Sequence, residues 1–293
     1  MKKKIKRGAG DVAFDIVNIM ILALLALSCV IPFINTLATS LSGNESVLAG
    51  QVFLLPKQFQ INSYRAVFSD WTMVRSMLFT VGLTVAYVAL AMLMSILAAY
   101  PLSKKRLKGR GVIWGYLMLS SYMPAGIIPA YLLINALGLL NTFWALLLPA
   151  LINTYNIIVM KSFFANIPES LEESARIDGA NEIVVLVRII LPLSMPIIAT
   201  ISLFFAVSKW NSYTDALFYI TDTKLFPLQL KLRQLISLNQ TSDLQNLLSQ
   251  EETVVPETLK AASLMFATIP ILCVYPWLQK YFVKGVMIGS VKG

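Results

Sequence analysis

The chain has 293 residues, 57% of them hydrophobic and 13% charged, with a mean hydropathy of +0.71, whereas soluble domains carry roughly 25% charge. This is the composition of an integral membrane protein, and it excludes a large soluble catalytic domain. Lys and Arg number 24 against 15 Asp and Glu, giving +9, and histidine is absent, which removes the usual general base, the commonest metal ligand and the near-neutral pH switch, so neither a catalytic centre nor a metal site is expected.

A helix needs about 20 apolar residues to cross the hydrocarbon layer, and stretches free of Asp, Glu, Lys and Arg mark the candidates. The first runs from Ile16 to Asn44 behind Lys2, Lys3, Lys4, Lys6 and Arg7. It exceeds the roughly 7 to 15 apolar residues of a cleaved signal, so it reads as a retained span at about 16–38. Cys29 within it, like Cys273 later, lies in an apolar run and reads as a small buried hydrophobe. The second stretch, Ser76 to Ser103, gives a span at 76–100. The third, Gly111 to Met160, covers 50 residues. It is too long for one crossing, and the turn-like Leu137-Gly-Leu-Leu-Asn-Thr142 divides it into spans at 112–135 and 143–162. The Gly111-Val-Ile-Trp-Gly115 spacing at its start is a small-residue packing motif. Ile189 to Ser208 and Ala261 to Gln279 supply spans at 190–210 and 261–281.

The expected fold is therefore all-α, a single polytopic domain over 1–293 with six transmembrane helices. Cytoplasmic loops retain Lys and Arg. With six spans, one side collects the N-terminal arm, Lys104, Lys105, Arg106, Lys108 and Arg110, then Lys161, Arg176 and Arg188, and finally Lys280, Lys284 and Lys292. That set holds 16 basic residues against seven on the other side, with Lys209 at the outer end of the fifth span. Both termini are expected inside, and topology alone accounts for the basic excess, so no nucleic-acid partner is needed. Residues 45–72 and 213–259 form outer loops, and 163–189 form a cytoplasmic loop. In the outer loop, the leucine spacing from Leu225 to Leu248 predicts a surface helix.

The cytoplasmic loop reads as two short helices. Pro168 suits a first helical turn, and Glu169, Glu172 and Glu173 favour the positive end of its dipole. Glu172 and Arg176 form an i,i+4 pair, Gly179 is a stop and Asn181 can cap the second helix. Leu171, Ala175 and Asp178 project from one face, too small to build a core alone, so the first helix needs a partner to dock on. The order Glu173-Ser-Ala175, Asp178-Gly-Ala180, Ile189, Leu191-Pro192 and Pro196 resembles the cytoplasmic "EAA" loop of ATP-binding cassette importer permeases. Ser174 stands where that motif usually has Ala, a change of one small residue for another.

The resemblance covers nearly the whole chain and extends to the carbohydrate-uptake branch, to the shorter six-span permease of the maltose-type transporters. Phe53-Leu-Leu-Pro56 with Ile61-Asn-Ser-Tyr64, Met123-Pro124, Pro129-Ala-Tyr131, Gly138 to Thr142, Trp210-Asn211 and the tail from Gln279 to Gly293 are similar to that family's segments. It implies a type I importer architecture in the cytoplasmic membrane of a prokaryote. The implied machine has a second homologous permease, an ATP-binding cassette ATPase dimer and an extracytoplasmic sugar-binding protein. The helix near Glu169 to Asp178 would be the coupling helix on one ATPase subunit, with Leu171, Glu172, Glu173, Ala175, Asp178 and Gly179 as its working residues. Glu173 would make the charged contact and Gly179 would set the turn, while a solvated Glu172 is the plainer reading. No G-x-x-x-x-G-K-[ST] occurs in the chain, so no phosphate-cradling loop is expected. The chain would need no cofactor, with ATP and Mg bound by the partner ATPases.

Sugars are recognised by aromatic faces and by amide or carboxylate groups. Trp210, Asn211, Tyr213 and Asp215 cluster at the outer end of span five, and Asn153, Tyr122 and Tyr155 are further candidates for the sugar path. An interfacial aromatic girdle would place Trp and Tyr there without a ligand. Asn211 is the sharper candidate, because an amide buried in lipid needs a partner. The rival reading is an ion-coupled secondary transporter of a small polar solute, which would ordinarily carry charge at mid-membrane and would leave the loop motif unexplained.

Overall fold

The computed structural model describes residues 8–123, 125–246 and 255–290, and every regular element among them is helical. The basic arm from Lys2 to Arg7, Pro124, part of the outer loop at 247–254, and Lys292 with the last residues of the tail motif lie outside the described residues. In chain order the helices are α1 (Ala9–Ser40), α2 (Asn44–Leu48), α3 (Asn62–Ser69), α4 (Trp71–Ser103), α5 (Arg110–Tyr122), α6 (Ile127–Ala136), α7 (Phe143–Leu147) and α8 (Thr154–Ala165). They continue with α9 (Glu169–Ile177), α10 (Glu182–Val185), α11 (Leu191–Leu193), α12 (Met195–Trp210), α13 (Thr214–Tyr219), α14 (Leu228–Asn246) and α15 (Pro256–Ser290).

Among the described residues, two helices, α1 and α4, are long and apolar enough to cross a bilayer unbroken. Three further stretches pass the same test of length and apolarity only as bent pairs, where the sequence suggests single rods. The stretch 112–135 is split into α5 and α6 by Gly126 at φ +84°, with Pro129 in the first turn beyond it. The stretch 143–162 turns by 52° between Ala150 and Thr154, where Pro149 lies in a short 3-10 turn and Asn153 starts a new helix by capping the Asn156 amide at 3.0 Å. The stretch at 190–210 bends more sharply than that at 143–162. The helical run Glu182–Leu193 meets α12 at 82°, and the break falls at Ser194, between Pro192 and Pro196, which have no amide hydrogen to continue the ladder. The sixth expected span, 261–281, lies inside α15, and the expected outer-loop helix is α14.

The chain forms two compact units. One holds α1 to α3 with Leu235–Phe266, and the other holds Trp71–Gln234 with the chain from Ala267 onward. In the first, the segment after α1 folds back on itself. The Gln60 amide donates to the Leu41 carbonyl at 2.9 Å, the Gly43 amide donates to the Lys57 carbonyl at 3.0 Å, and the Tyr64 and Ser40 hydroxyls meet at 2.8 Å. Cys29 is exposed on α1, contrary to the expectation of a buried residue, and Cys273 is exposed as well.

The second unit is built on α4, against which α8 and α12 pack. Ala91, Ser95 and Ala99 recur every fourth residue and are wholly buried, so α4 presents a stripe of small side chains that lets neighbouring backbones approach closely. Around it lie Met160 and Phe164 of α8 and Ile197, Ile201 and Phe205 of α12. The Tyr87 ring meets Phe205 edge to face at 5.8 Å, and its hydroxyl donates to the Ala150 carbonyl at 2.6 Å. A polar tip on an apolar ring thereby holds the break between α7 and α8 against α4.

Candidate functional site

The loop between α8 and α12 forms two helices, and its stop signal operates as the sequence indicates. Helix α9 ends at Ile177, and Gly179 follows at φ +83°. Its amide donates to the Arg176 carbonyl at 3.0 Å, and the Ala180 amide reaches the Ala175 carbonyl at 2.9 Å. This paired closure requires a left-handed residue, and glycine takes that conformation without a Cβ penalty. The Asn181 side chain then accepts from the Val184 amide at 2.9 Å and opens α10.

Which face α9 presents differs from the expectation. Ala175 is half-buried against the core, while Leu171 and Asp178 remain exposed. The outward surface carries Leu171, Glu173, Ile177 and Asp178, with Ile177 86% and the nearby Ile183 71% exposed. Glu172 is corrected most sharply. Its side chain is 2% exposed, so it is neither a solvated carboxylate nor part of an outward contact.

Glu172 instead belongs to an ion network that ties α9 to the end of α4. Lys104 pairs with one carboxylate oxygen, and Arg176 Nη2 donates to the other at 2.9 Å. Arg176 Nε donates to Glu182 Oε1 at 3.1 Å, Arg106 pairs with the same oxygen, and the Tyr100 hydroxyl donates to Glu182 Oε2 at 3.1 Å. The Lys104 ammonium also lies 4.8 Å from the centre of the Tyr100 ring. Burial works to raise the Glu182 carboxyl, but the hydrogen bonds from Arg106, Arg176 and Tyr100 outweigh it and hold the group below its usual range. The bond to Glu182 in turn raises Arg176 above its ordinary value. Sequence reasoning missed Tyr100, Lys104, Arg106 and Glu182 as partners. The one available signal was that two segments of opposite charge are expected on the same side of the membrane.

At the other end of α12 the proposed sugar-path residues divide. Trp210 is buried, and its indole N–H donates to the Ala267 carbonyl at 3.2 Å, which makes it a packing residue in this unit. Asn211 is exposed, and its amide donates to the Val207 carbonyl of its own helix at 2.9 Å. The expectation of a buried amide seeking a partner is therefore corrected. Tyr213 is half-buried beneath the Arg233 guanidinium, 4.7 Å from the ring centre. Asn153 is spent as a helix cap, and Tyr122 and Tyr155 are exposed.

Asp215 has the partner that the sequence did not single out. Lys209 is 5% exposed and donates to the Leu146 carbonyl and to Asp215 Oδ2, the latter at 3.3 Å, with its ammonium 5.0 Å from the centre of the Tyr87 ring. Replacing Lys209 with methionine should cost about 1–3 kcal/mol, because the Leu146 carbonyl loses its donor while the partly exposed Asp215 can be rehydrated. Thermal unfolding of the purified protein in detergent measures this, and an unchanged midpoint would contradict it.

A further pair of turns joins α6–α7 to α13. Asn141, at φ +58°, accepts from the amides of Thr221 at 2.6 Å and Asp222 at 3.0 Å and donates to the Thr221 hydroxyl at 2.6 Å, while its own amide donates to the Tyr219 carbonyl at 2.9 Å. The sequence reading used this residue only as part of a turn.

Residues 91–288 match the family described as "Binding-protein-dependent transport system inner membrane component". The polygalacturonan/rhamnogalacturonan transport system permease protein YtcP of Bacillus subtilis is 43% identical over 283 residues, 96% of this chain and 98% of that protein. Protein LplC of the same organism is 42% identical over 280 residues, covering 96% and 95%. Among solved structures, a chain of a bacterial ABC transporter involved in the import of the acidic polysaccharide alginate superposes with a TM-score of 0.88 at 34% identity, covering 95% of this chain and all of that one.

Proposed function

We propose, because the chain belongs to the family of binding-protein-dependent transport system inner membrane components, that its role as the membrane permease subunit of an ABC importer is to pass an acidic oligosaccharide into the cytoplasm. The relatives bear on the substrate through their own cargo. One is named for polygalacturonan and rhamnogalacturonan, and the similar solved structure concerns alginate, an acidic polysaccharide. Ion-coupled transport finds no support among them.

The observation that carries the reading is α9. Its Glu172 and Arg176 anchor it inward to the end of α4, while Leu171, Ile177 and Ile183 remain uncovered beside Glu173 and Asp178. A short helix fastened on one side and left apolar on the other suits docking into a groove of an ATP-hydrolysing subunit. Movement of that subunit then passes through the ion network into the spans. A second permease and an external sugar-binding protein complete the machine, with both termini of this chain in the cytoplasm. The chain acts as a conduit and holds no nucleotide or metal of its own, and Tyr213, Asp215 and the exposed Asn211 are its candidate contacts on the sugar path.

Co-purification of the tagged chain from its native membrane, with mass spectrometry and an ATPase assay, tests the assembly. A second permease and an ATPase subunit are expected, and a chain that purifies alone without ATPase activity would overturn the reading. Coupling is tested by two variants. Gly179→Val places a β-branched residue at φ +83°, at a cost of roughly 1–2 kcal/mol at the helix end, and Glu173→Arg reverses an exposed charge. Both should abolish sugar-dependent uptake while membrane abundance is retained, and normal uptake in both would remove the docking role from α9.

A further inference from the structure

The end of α4, the basic loop behind it and α10 enclose a cleft of about 560 Å³, within the roughly 300–1,000 Å³ range of ligand pockets. Its walls are of two kinds. Leu97, Pro101 and Leu186 form an apolar side, and Leu97 is 54% exposed, so this side is continuous with the outer surface of the span. Arg106 and Lys108 form an exposed cationic side. Arg106 shares Glu182 with Arg176, and Lys108 has no ion pair among the described residues. The cleft thus joins a surplus of positive charge to a hydrocarbon-lined slot at the end of a membrane span, where phospholipid headgroups lie.

We propose that this cleft holds an anionic phospholipid, its phosphodiester against Arg106 and Lys108 and an acyl chain along Leu97, Pro101 and Leu186. A zwitterionic lipid would bring a choline or ethanolamine cation into a rim where Lys104 is matched by Glu172 and Arg106 by Glu182, while Lys108 has no carboxylate partner among the described residues. An anionic headgroup supplies the missing negative charge. The bound phosphate also reaches the ion network through Arg106, so the lipid braces α10 against the end of α4 and thereby supports the platform on which α9 sits. The proposal rests on the cytoplasmic placement of this loop given above, and it requires neither the acidic sugar nor an ATPase partner.

Native mass spectrometry of the full chain, delipidated in mild detergent with whatever partners accompany it, provides the test. Phosphatidylglycerol and phosphatidylcholine are titrated separately. Phosphatidylglycerol should bind as one tight adduct and phosphatidylcholine should not. One basic side chain beside an anionic headgroup is worth roughly five-fold in affinity, so Lys108→Gln should weaken that adduct by about this factor, and Lys108→Arg should restore it. Leu186→Trp, which fills the apolar slot and leaves the cations intact, should weaken it as well. Lys105→Gln, on the same loop but outside the lining, should leave it unchanged.

Equal phosphatidylglycerol binding by the Lys108→Gln and Lys105→Gln proteins would overturn the proposal. So would displacement of the lipid by inorganic phosphate at equal concentration, which would mark a site for free anions. Loss of a protein partner from Lys108→Gln with lipid binding intact would assign the surface to that partner and also overturn it. A chain that purifies alone yet binds phosphatidylglycerol in the expected pattern would defeat the importer reading and leave the lipid site standing.

Discussion

Replacing Glu172 with alanine should destabilise the protein by about 3–5 kcal/mol, the range for removing one partner of a buried ion pair. The loss comes from what remains. Lys104 and Arg176, 12% and 28% exposed, would face each other across the space the carboxylate had filled. Arg176 can recover some hydration and keeps Glu182, so the cost should fall toward the lower end of that range. Thermal unfolding in detergent and abundance in the membrane read the effect. A companion variant isolates the cause. Glu172→Leu combined with Lys104→Leu removes a charge of each sign and should recover much of the stability, because an apolar replacement of a buried pair is often neutral or better. Glu173→Ala, one residue away and exposed, should stay within about 0.5 kcal/mol of the parent. If Glu172→Ala were as stable as Glu173→Ala, the inward clamp would be refuted.

Asn141→Val should cost roughly 2–4 kcal/mol, from two sources that can be separated. The side chain makes three hydrogen bonds to Thr221 and Asp222. These are exposed, so water takes over in part and each contributes nearer to 0.5 than to 1.5 kcal/mol. The backbone at φ +58° adds strain for a β-branched residue, of about 1–2 kcal/mol. Asn141→Gly removes the first source and keeps the conformation, so it should lose about half as much. Hydrogen exchange at the amides of Thr221 and Asp222 reports the same event locally. Unaltered protection in the valine variant would mean that these turns are held by something else.

The sequence made the helical architecture readable because its signals are local. An apolar run has a length, a glycine in a left-handed position ends a helix, and Asn181 caps the turn it precedes. Thus α9 and α10 appear where the loop pattern places them. The breaks in the spans were harder to see. Pro192 and Pro196 stood in plain view but were read as part of a family motif, and neither states the size of the bend that their missing amide hydrogens permit. The least legible features were pairings across distance. Lys104 meets Glu172 from 68 residues away, and Arg106 meets Glu182 from 76. In the sequence those two cations serve equally well as markers of membrane orientation. Asn211 shows the converse error. Its side chain was expected to need a distant partner, yet the carbonyl four residues back satisfies it.

The 82° elbow at Ser194 makes the segment from Glu182 to Trp210 a bell crank. Its two arms hold 12 and 16 residues, or roughly 18 and 24 Å at the helical rise of about 1.5 Å per residue. With arms so close to perpendicular, a rigid turn about the corner under a thrust across the short arm would carry the long arm's tip across its own axis. The far tip would then travel about a third farther than the near one. At that tip Lys209 grips the Leu146 carbonyl and Asp215, so the greatest excursion would fall where a single ammonium group fastens two chain segments together.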